Sequence, residues 1–258
     1  MKVEKQKVIK RFQLYVENYD ATDPKTALKI HHTYRVAGLC EQIARSEGMS
    51  EEECALAWLT GMLHDIGRFE QLRRYNTFID ASSVDHAKLG ADILFGGAGE
   101  TACIREFVTD DAKDALIETA IRVHSLYRVP EEVDAETAKY CHILRDADKV
   151  DILRVNVETP LEDIYNTTAE ELYGSEITGA VMDSFFEHHA TLRSIKRTTL
   201  DHVAGHLSLI FELVFPESLC LVKQQGYWEK LLAIPTRNPK AAEQLQLLKA
   251  ELQNYLDI

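Results

Sequence analysis

The spacing of apolar residues along this chain is almost everywhere that of amphipathic helices. Apolar residues recur three and four positions apart, and the alternation that is typical of strands is nearly absent. We therefore predict an all-α fold. The pattern places helices near 3–18, 25–46, 51–66, 84–95, 111–124, 135–155, 177–190, 198–214, 217–232 and 239–256.

Local residues explain several of the predicted helix ends. Asp23 is a cap that is followed by proline at the first helical position, and Ser50 precedes three glutamates that suit a helix start. We expect Gly67 to end the third helix in a left-handed conformation, so that residues 67–83 form a loop rich in arginine and tyrosine. The least patterned region, 156–176, is interpreted as a connector to the later helices.

Some positions on the apolar faces of these helices hold polar residues. His32 lies on the apolar face of the second helix. His64 and Asp65 lie at the edge of the apolar stripe of the third helix, and the turn before them holds Thr60 and Gly61. Helical side chains lean back over the preceding turn, so these two small residues leave room for a ligand.

Three later helices repeat this arrangement, because His86, His124 and Asp148 each occupy an apolar face. A single inward histidine is usually a hydrogen-bonded core residue, whereas an unpaired buried carboxylate is costly. Four such histidines and two such aspartates favour a shared divalent cation. Nitrogen and oxygen ligands without cysteine suit Mn, Fe, Co, Ni, Mg or Zn. Periodicity alone leaves the core-histidine interpretation open beside the metal site.

Composition limits the partners that we expect. The chain has 258 residues and a formal net charge of -13, which disfavours polymeric nucleic acid and anionic membranes as partners. The five cysteines are scattered and form no CxxC pair, which fits a reducing compartment. No signal peptide is evident, and no apolar run approaches the ~20 residues of a membrane helix. We therefore expect a cytoplasmic protein, while its oligomeric state stays open.

The polar motifs resemble those of a known family. Three segments resemble the core motifs of the HD-domain superfamily of metal-dependent phosphohydrolases, namely HHTYRVAGLCEQIA (31–44), LTGMLHDIGR (59–68) and RDADKVDIL (145–153). Two more segments resemble the further histidine motifs of the branches that hold two metals, namely DHAKLGADIL (85–94) and IRVH (121–124). The resemblance covers about 25–155, and the later residues carry no recognised motif.

The resemblance implies a fold, a site and a reaction. The expected fold is an HD-domain-like helical bundle at 20–156, with additional C-terminal helices at 157–258 that could pack on the same core. One or two divalent ions would be held by His32, His64, Asp65, His86, His124 and Asp148, with Asp65 as the bridge. The expected catalytic residues are Asp65, Arg68 and Lys149, since the two cations adjoin ligands and could contact a small anionic phosphorylated substrate.

Other features qualify this prediction. The Gly-Tyr-Pro motif of the cyclic-diguanylate phosphodiesterases is missing after His124, so that substrate is not supported. His202 and His206 fit a packed or substrate-facing pair better than a second metal site. The leading hypothesis is hydrolysis of a phosphate monoester or diester by metal-activated water. The alternatives are a di-iron oxygenase with the same ligands and a non-catalytic regulatory module.

Overall fold

The computed structural model describes residues 1–97, 99–160 and 167–257. These residues form α-helices and short 3-10 helices with no strand, which confirms the all-α prediction. They pack as two compact units, Met1–Asp148 and Lys149–Ile258. The first unit holds α1 (Lys5–Val16), α2 (Pro24–Ser46), α3 (Glu51–Leu63), α4 (Ile66–Tyr75), α5 (His86–Phe95), α6 (Ile104–Phe107), α7 (Asp114–Val123) and the beginning of α8 (Ala135–Glu158).

The second unit begins inside α8. It continues through α9 (Ala169–Gly174), α10 (Gly179–Phe186), α11 (Thr199–Leu207), α12 (Pro216–Gln225), α13 (Tyr227–Leu232) and α14 (Pro239–Leu256). Its core includes Phe185, Val203 and Leu252. The predicted functional segments, 20–156 and 157–258, differ in their boundaries from these two packing units. The functional division stays a prediction. Within the described part of the chain, no helix is long and apolar enough to cross a membrane.

The predicted helix starts of α2 and α3 are confirmed by their caps. The carboxylate of Asp23 accepts a hydrogen bond from the Lys25 backbone N–H, with Pro24 at the first position of α2. Ser50 and Glu53 form a reciprocal capping box at the start of α3. Helices α2 and α3 then pack along each other within the first unit.

The prediction of one helix over 51–66 followed by a loop over 67–83 was wrong. Helix α3 ends at Leu63, and a separate helix α4 runs over Ile66–Tyr75. Phe69 and Leu72 bury one face of α4, while Glu70 pairs with arginines three and four residues later. The left-handed cap that ends α4 is Asn76, at φ 53°. His64 and Asp65 therefore lie at a joint between two helices.

Gly67 does not end a helix as predicted; it allows α4 to pack closely against α5. A Cβ atom at this position would lie 2.6 Å from the backbone nitrogen of Gly90 and closer still to the carbonyl oxygen of His86. Both contacts are with α5 backbone, which cannot rotate away as a side chain would. The missing side chain thus lets α4 and α5 approach closely beside His86.

Three later predictions also differ from the structure. The helix predicted over 217–232 is divided at Gly226, whose φ of 64° ends α12. The helix predicted over 198–214 ends at Leu207 and continues as a 3-10 helix over Ser208–Glu212. The proposed connector 156–176 contains the end of α8 and the short helix α9, and its residues 161–166 lie outside the described part.

We predict that Gly67→Ala destabilises the protein by about 1–3 kcal/mol, the usual cost of overpacking, because α4 and α5 must separate. Gly38→Ala is the matched control, since a Cβ at Gly38 in α2 meets nothing within 4 Å. The control should stabilise by up to about 1 kcal/mol through helix propensity. Urea unfolding measures both changes, and equal behaviour of the two variants would contradict the close-packing account.

Candidate metal centre

The six residues that the sequence singled out as metal ligands come together in the first unit. His32 projects from α2, His86 begins α5, His124 caps the end of α7 and Asp148 lies on α8. Their partners His64 and Asp65 occupy the joint between α3 and α4. The four imidazoles and the Asp65 carboxylate are buried, while 18% of the Asp148 side chain is exposed.

Two histidines and two aspartates form the first part of the cluster. His32 Nε2 lies 3.1 Å from Asp148 Oδ1 and 3.5 Å from Asp65 Oδ2. His64 Nε2 lies 3.5 Å from the same Asp65 oxygen and 3.9 Å from Asp148 Oδ1. Asp65 Oδ2 therefore belongs to this first group.

The other oxygen of Asp65 faces the second part of the cluster. Asp65 Oδ1 lies 3.5 Å from His86 Nε2 and 3.9 Å from His124 Nε2. The two imidazole Nε2 atoms are 3.1 Å apart. A single carboxylate thus presents one oxygen to each pair of histidines.

Hydrogen bonds on the far side of the rings select the histidine tautomers. His64 Nδ1 lies 2.7 Å from the Gly61 carbonyl oxygen, and His124 Nδ1 lies 2.6 Å from that of Ile121. Carbonyl oxygens only accept, so each Nδ1 carries a proton, and the lone pair of the neutral ring lies on Nε2, on the side of Asp65. His86 is fixed in the same way, because its Nδ1 lies 2.7 Å from a carboxylate oxygen of Asp80.

In these tautomers the Nε2 lone pairs face into the cluster, where a bound cation would satisfy them. His86 and His124 direct two lone pairs at each other across 3.1 Å. Within the described residues, the buried Nε2 of His64 makes no hydrogen bond. Metal–ligand bonds of about 2.1 Å place neighbouring ligand atoms about 3 Å apart, close to the separations seen here. The cluster therefore contains His/Asp groups that are able to hold metal ions.

The electrostatics of the cluster keep Asp65 ionised and favour the neutral form of His86 and His124. Burial acts to raise the pKa of Asp65, but the nearby charges of Lys29 and Arg68 act against it, and that pKa lies well below its usual value. Burial lowers the pKa of His124 to about 3, and the neighbouring histidines add to this shift. Burial also lowers the pKa of His86. These are the protonation states that metal binding requires.

Lys29 is a site residue that the sequence analysis missed. It lies one turn before His32 on α2, and its Nζ is 2.6 Å from Asp65 Oδ2. The three-residue spacing from His32 places both side chains on one helix face, which is the available sequence signal. A lysine beside an apolar stripe is ordinarily interpreted as a solvated charge, so this spacing alone does not identify Lys29 as a site residue.

Asp80 was also missed, because it lies in the segment predicted as loop. One oxygen accepts from Arg68 at 3.0 Å and the other contacts His86 Nδ1. The same Arg68 nitrogen donates to the Phe78 carbonyl and to Gln71. Arg68, predicted as catalytic, thus holds the segment that orients His86, and its Nε lies 3.6 Å from Asp65 Oδ1.

Arg145 is a third residue with an unexpected position. It is buried on α8, one turn before Asp148, and its guanidinium donates to the carbonyl oxygens of Val123, His124 and Tyr127. Carbonyls at a helix end lack partners within the helix. Arg145 supplies those partners, and it therefore connects the helix that carries Asp148 to the end of α7 that carries His124.

The remaining candidates lie in other surroundings. Lys149 begins the second unit, where its Nζ donates to the Glu212 carbonyl at 3.2 Å, and its catalytic role stays a prediction. Among the described residues, no group of three potential ligands includes His202 or His206.

We predict that Asp80→Asn weakens Mn²⁺ binding by about 10- to 100-fold, the usual effect of losing the carboxylate behind a ligating histidine. The matched control is Asp85→Asn. Asp85 caps α5 beside His86 in sequence, and asparagine preserves the cap. Isothermal titration measures both affinities, and an equal loss in the two variants would contradict the orienting role of Asp80.

We predict that the metal-free protein loses stability as the pH falls from 6.5 toward 3. Unfolded His124 protonates near its ordinary pKa of 6.5, whereas the folded pKa is about 3, so the unfolded state binds the proton first. Each such group contributes at most about 1.4 kcal/mol per pH unit. His124→Gln should reduce the slope of the free energy of unfolding against pH in this range, as measured by urea unfolding. His31→Gln changes an exposed histidine and should leave that slope unchanged. Equal slopes would contradict the prediction.

Comparison with known proteins agrees with this geometry. Residues 30–153 match the family model described as HD domain. This segment contains every residue of the cluster. No curated protein and no solved structure gave a significant match to the chain. From the motifs, the buried cluster and the family match, we conclude that this chain contains an HD domain at residues 30–153, as the resemblance indicated.

Proposed function

We propose that this protein is a metal-dependent phosphohydrolase that acts on phosphate esters of a nucleotide or another small phosphorylated metabolite. The observation that carries the proposal is the orientation of Asp65. Its two oxygens face two different pairs of buried histidines, at 3.5–3.9 Å. An HD domain with such a His/Asp cluster is consistent with this reaction class.

Two divalent ions would divide the cluster between them. The first would be held by His32, His64, Asp148 and Oδ2 of Asp65. The second would be held by His86, His124 and Oδ1 of Asp65. When bound, such ions acidify water and neutralise the charge of a phosphoryl group.

The protein residues prepare the site for an anionic substrate. Asp65 is ionised and buried, so its carboxylate is held in one orientation. Lys29 and Arg68 place two positive charges beside it. The site is partly open to solvent, because the side chains of Lys29, Asp80 and Asp148 are 14%, 18% and 18% exposed.

This local charge is compatible with the acidic protein as a whole. The formal net charge of -13 repels extended polyanions at long range. Charges within a few ångströms dominate once a small ligand is inside the site, because screening in water confines distant fields to about 8–10 Å. The proposal therefore concerns a small phosphorylated substrate and not polymeric nucleic acid or a membrane.

Asp65→Asn is the direct test. We expect this isosteric change to remove most bound metal and to lower turnover by at least about 100-fold, the scale for losing one charge-stabilising group. Asp92→Asn is the matched control, since Asp92 pairs with Arg122 on the surface of α5 and α7. Elemental analysis and hydrolysis of a panel of aryl phosphates, phosphodiesters and nucleotides give the two measurements.

Three results would contradict the proposal. Asp65→Asn protein that keeps both metal and activity would remove the metal centre from the reaction. Iron that is retained in air and supports oxygen-dependent turnover would favour the di-iron oxygenase. Full metal occupancy of the wild type without turnover of any ester would favour a non-catalytic module.

A further inference from the structure

The Lys29 side chain is unusual in its position and its partners. Its Nζ lies 2.6 Å from Asp65 Oδ2, and only 14% of the side chain is exposed. The Phe78 ring centroid lies 5.4 Å from the same Nζ. Among the described residues, Asp65 is the only carboxylate that pairs with this ammonium group.

The oxygen that Lys29 contacts is the one that faces the first pair of histidines. His32 Nε2 and His64 Nε2 each lie 3.5 Å from Asp65 Oδ2. A cation held by those imidazoles and by this oxygen would lie against the ammonium group. Two like charges at such a distance repel strongly in a buried site. Metal in the first position and Lys29 therefore compete for Asp65 Oδ2.

Displacement from Asp65 would leave the largely buried Lys29 ammonium without a counter-ion. A buried charge without a partner is costly, so the ammonium needs another anion nearby. The flexible four-carbon stem and three rotatable donors of lysine allow such an exchange. Arg68 is less free to move, because its guanidinium already holds the Phe78 carbonyl, Gln71 and Asp80.

We propose that Lys29 is a phosphate-binding residue of this site, whose ammonium transfers from Asp65 Oδ2 to a non-bridging phosphoryl oxygen when metal binds Asp65. The identity of the anion rests on the proposed function, whereas the competition with metal does not. Lys29 would then be a tethered cation that pairs with Asp65 in the metal-free protein and contacts the substrate in the metal-bound protein.

The test compares Lys29→Met, Lys29→Arg and the control Lys25→Met. Lys25 lies one turn earlier on α2, and its change removes the same charge outside the cluster. Mn²⁺ is first titrated into metal-free protein, and inorganic phosphate is then titrated into the Mn²⁺-loaded protein. Circular dichroism of each loaded variant checks that the helices remain.

The proposal predicts opposite effects on the two ligands. Lys29→Met should bind Mn²⁺ as tightly as the wild type or several-fold more tightly, and should bind phosphate at least 10-fold more weakly. Lys29→Arg should keep phosphate affinity within about 3-fold of the wild type, because the charge is preserved. Lys25→Met should change neither affinity. Weaker Mn²⁺ binding with unchanged phosphate affinity in Lys29→Met would show that Lys29 only orders Asp65, and would overturn the proposal.

Failure of this inference can be separated from failure of the proposed function. If Lys29→Met loses phosphate affinity while the wild type hydrolyses no ester, Lys29 remains a phosphate-binding residue and the hydrolase proposal fails. If the wild type hydrolyses esters and Lys29→Met keeps its phosphate affinity and rate, only the role of Lys29 fails. If the Mn²⁺-loaded wild type does not bind phosphate, the proposed phosphate-binding role of Lys29 is also overturned.

Discussion

The buried carboxylate of Asp65 is the constraint on which the rest of the first unit depends. A carboxylate that is 2% exposed cannot stay ionised without compensating groups. The chain surrounds it with imidazoles from α2, from the α3–α4 joint, from α5 and from α7, and with the ammonium of Lys29. The break between α3 and α4 has a clear role in this arrangement, because it places Asp65 where both of its oxygens have partners.

Outer contacts hold these groups in orientation. The ring of His86 is set by Asp80, which Arg68 holds in turn. The end of α7 at His124 is held by Arg145 from the helix that carries Asp148. Gly67 lets α4 approach α5 next to His86. The cluster is thus built from side chains whose positions are each determined by a second element, and such preorganisation is what a metal centre requires.

Sequence patterns predicted the parts of this arrangement that are periodic. The helical class and the inward orientation of His32, His86, His124 and Asp148 follow from apolar spacing alone. The helix α4 was missed because Gly67 has a tertiary role, the approach to Gly90, that no local rule reveals. Lys29 was missed for a similar reason, since it meets Asp65 across 36 positions of the chain. The spacing from His32 places Lys29 on the same face of α2, but it does not identify Asp65 as the partner, because a long-range ion pair leaves no periodic trace.

We infer that Asp65 joins two metal positions. Anomalous diffraction from crystals of this protein soaked in Mn²⁺ tests it most directly. We expect two anomalous peaks that flank the Asp65 carboxylate, one beside His32, His64 and Asp148 and the other beside His86 and His124. A single peak that Asp65 does not contact, or ions bound only outside this cluster, would contradict the account.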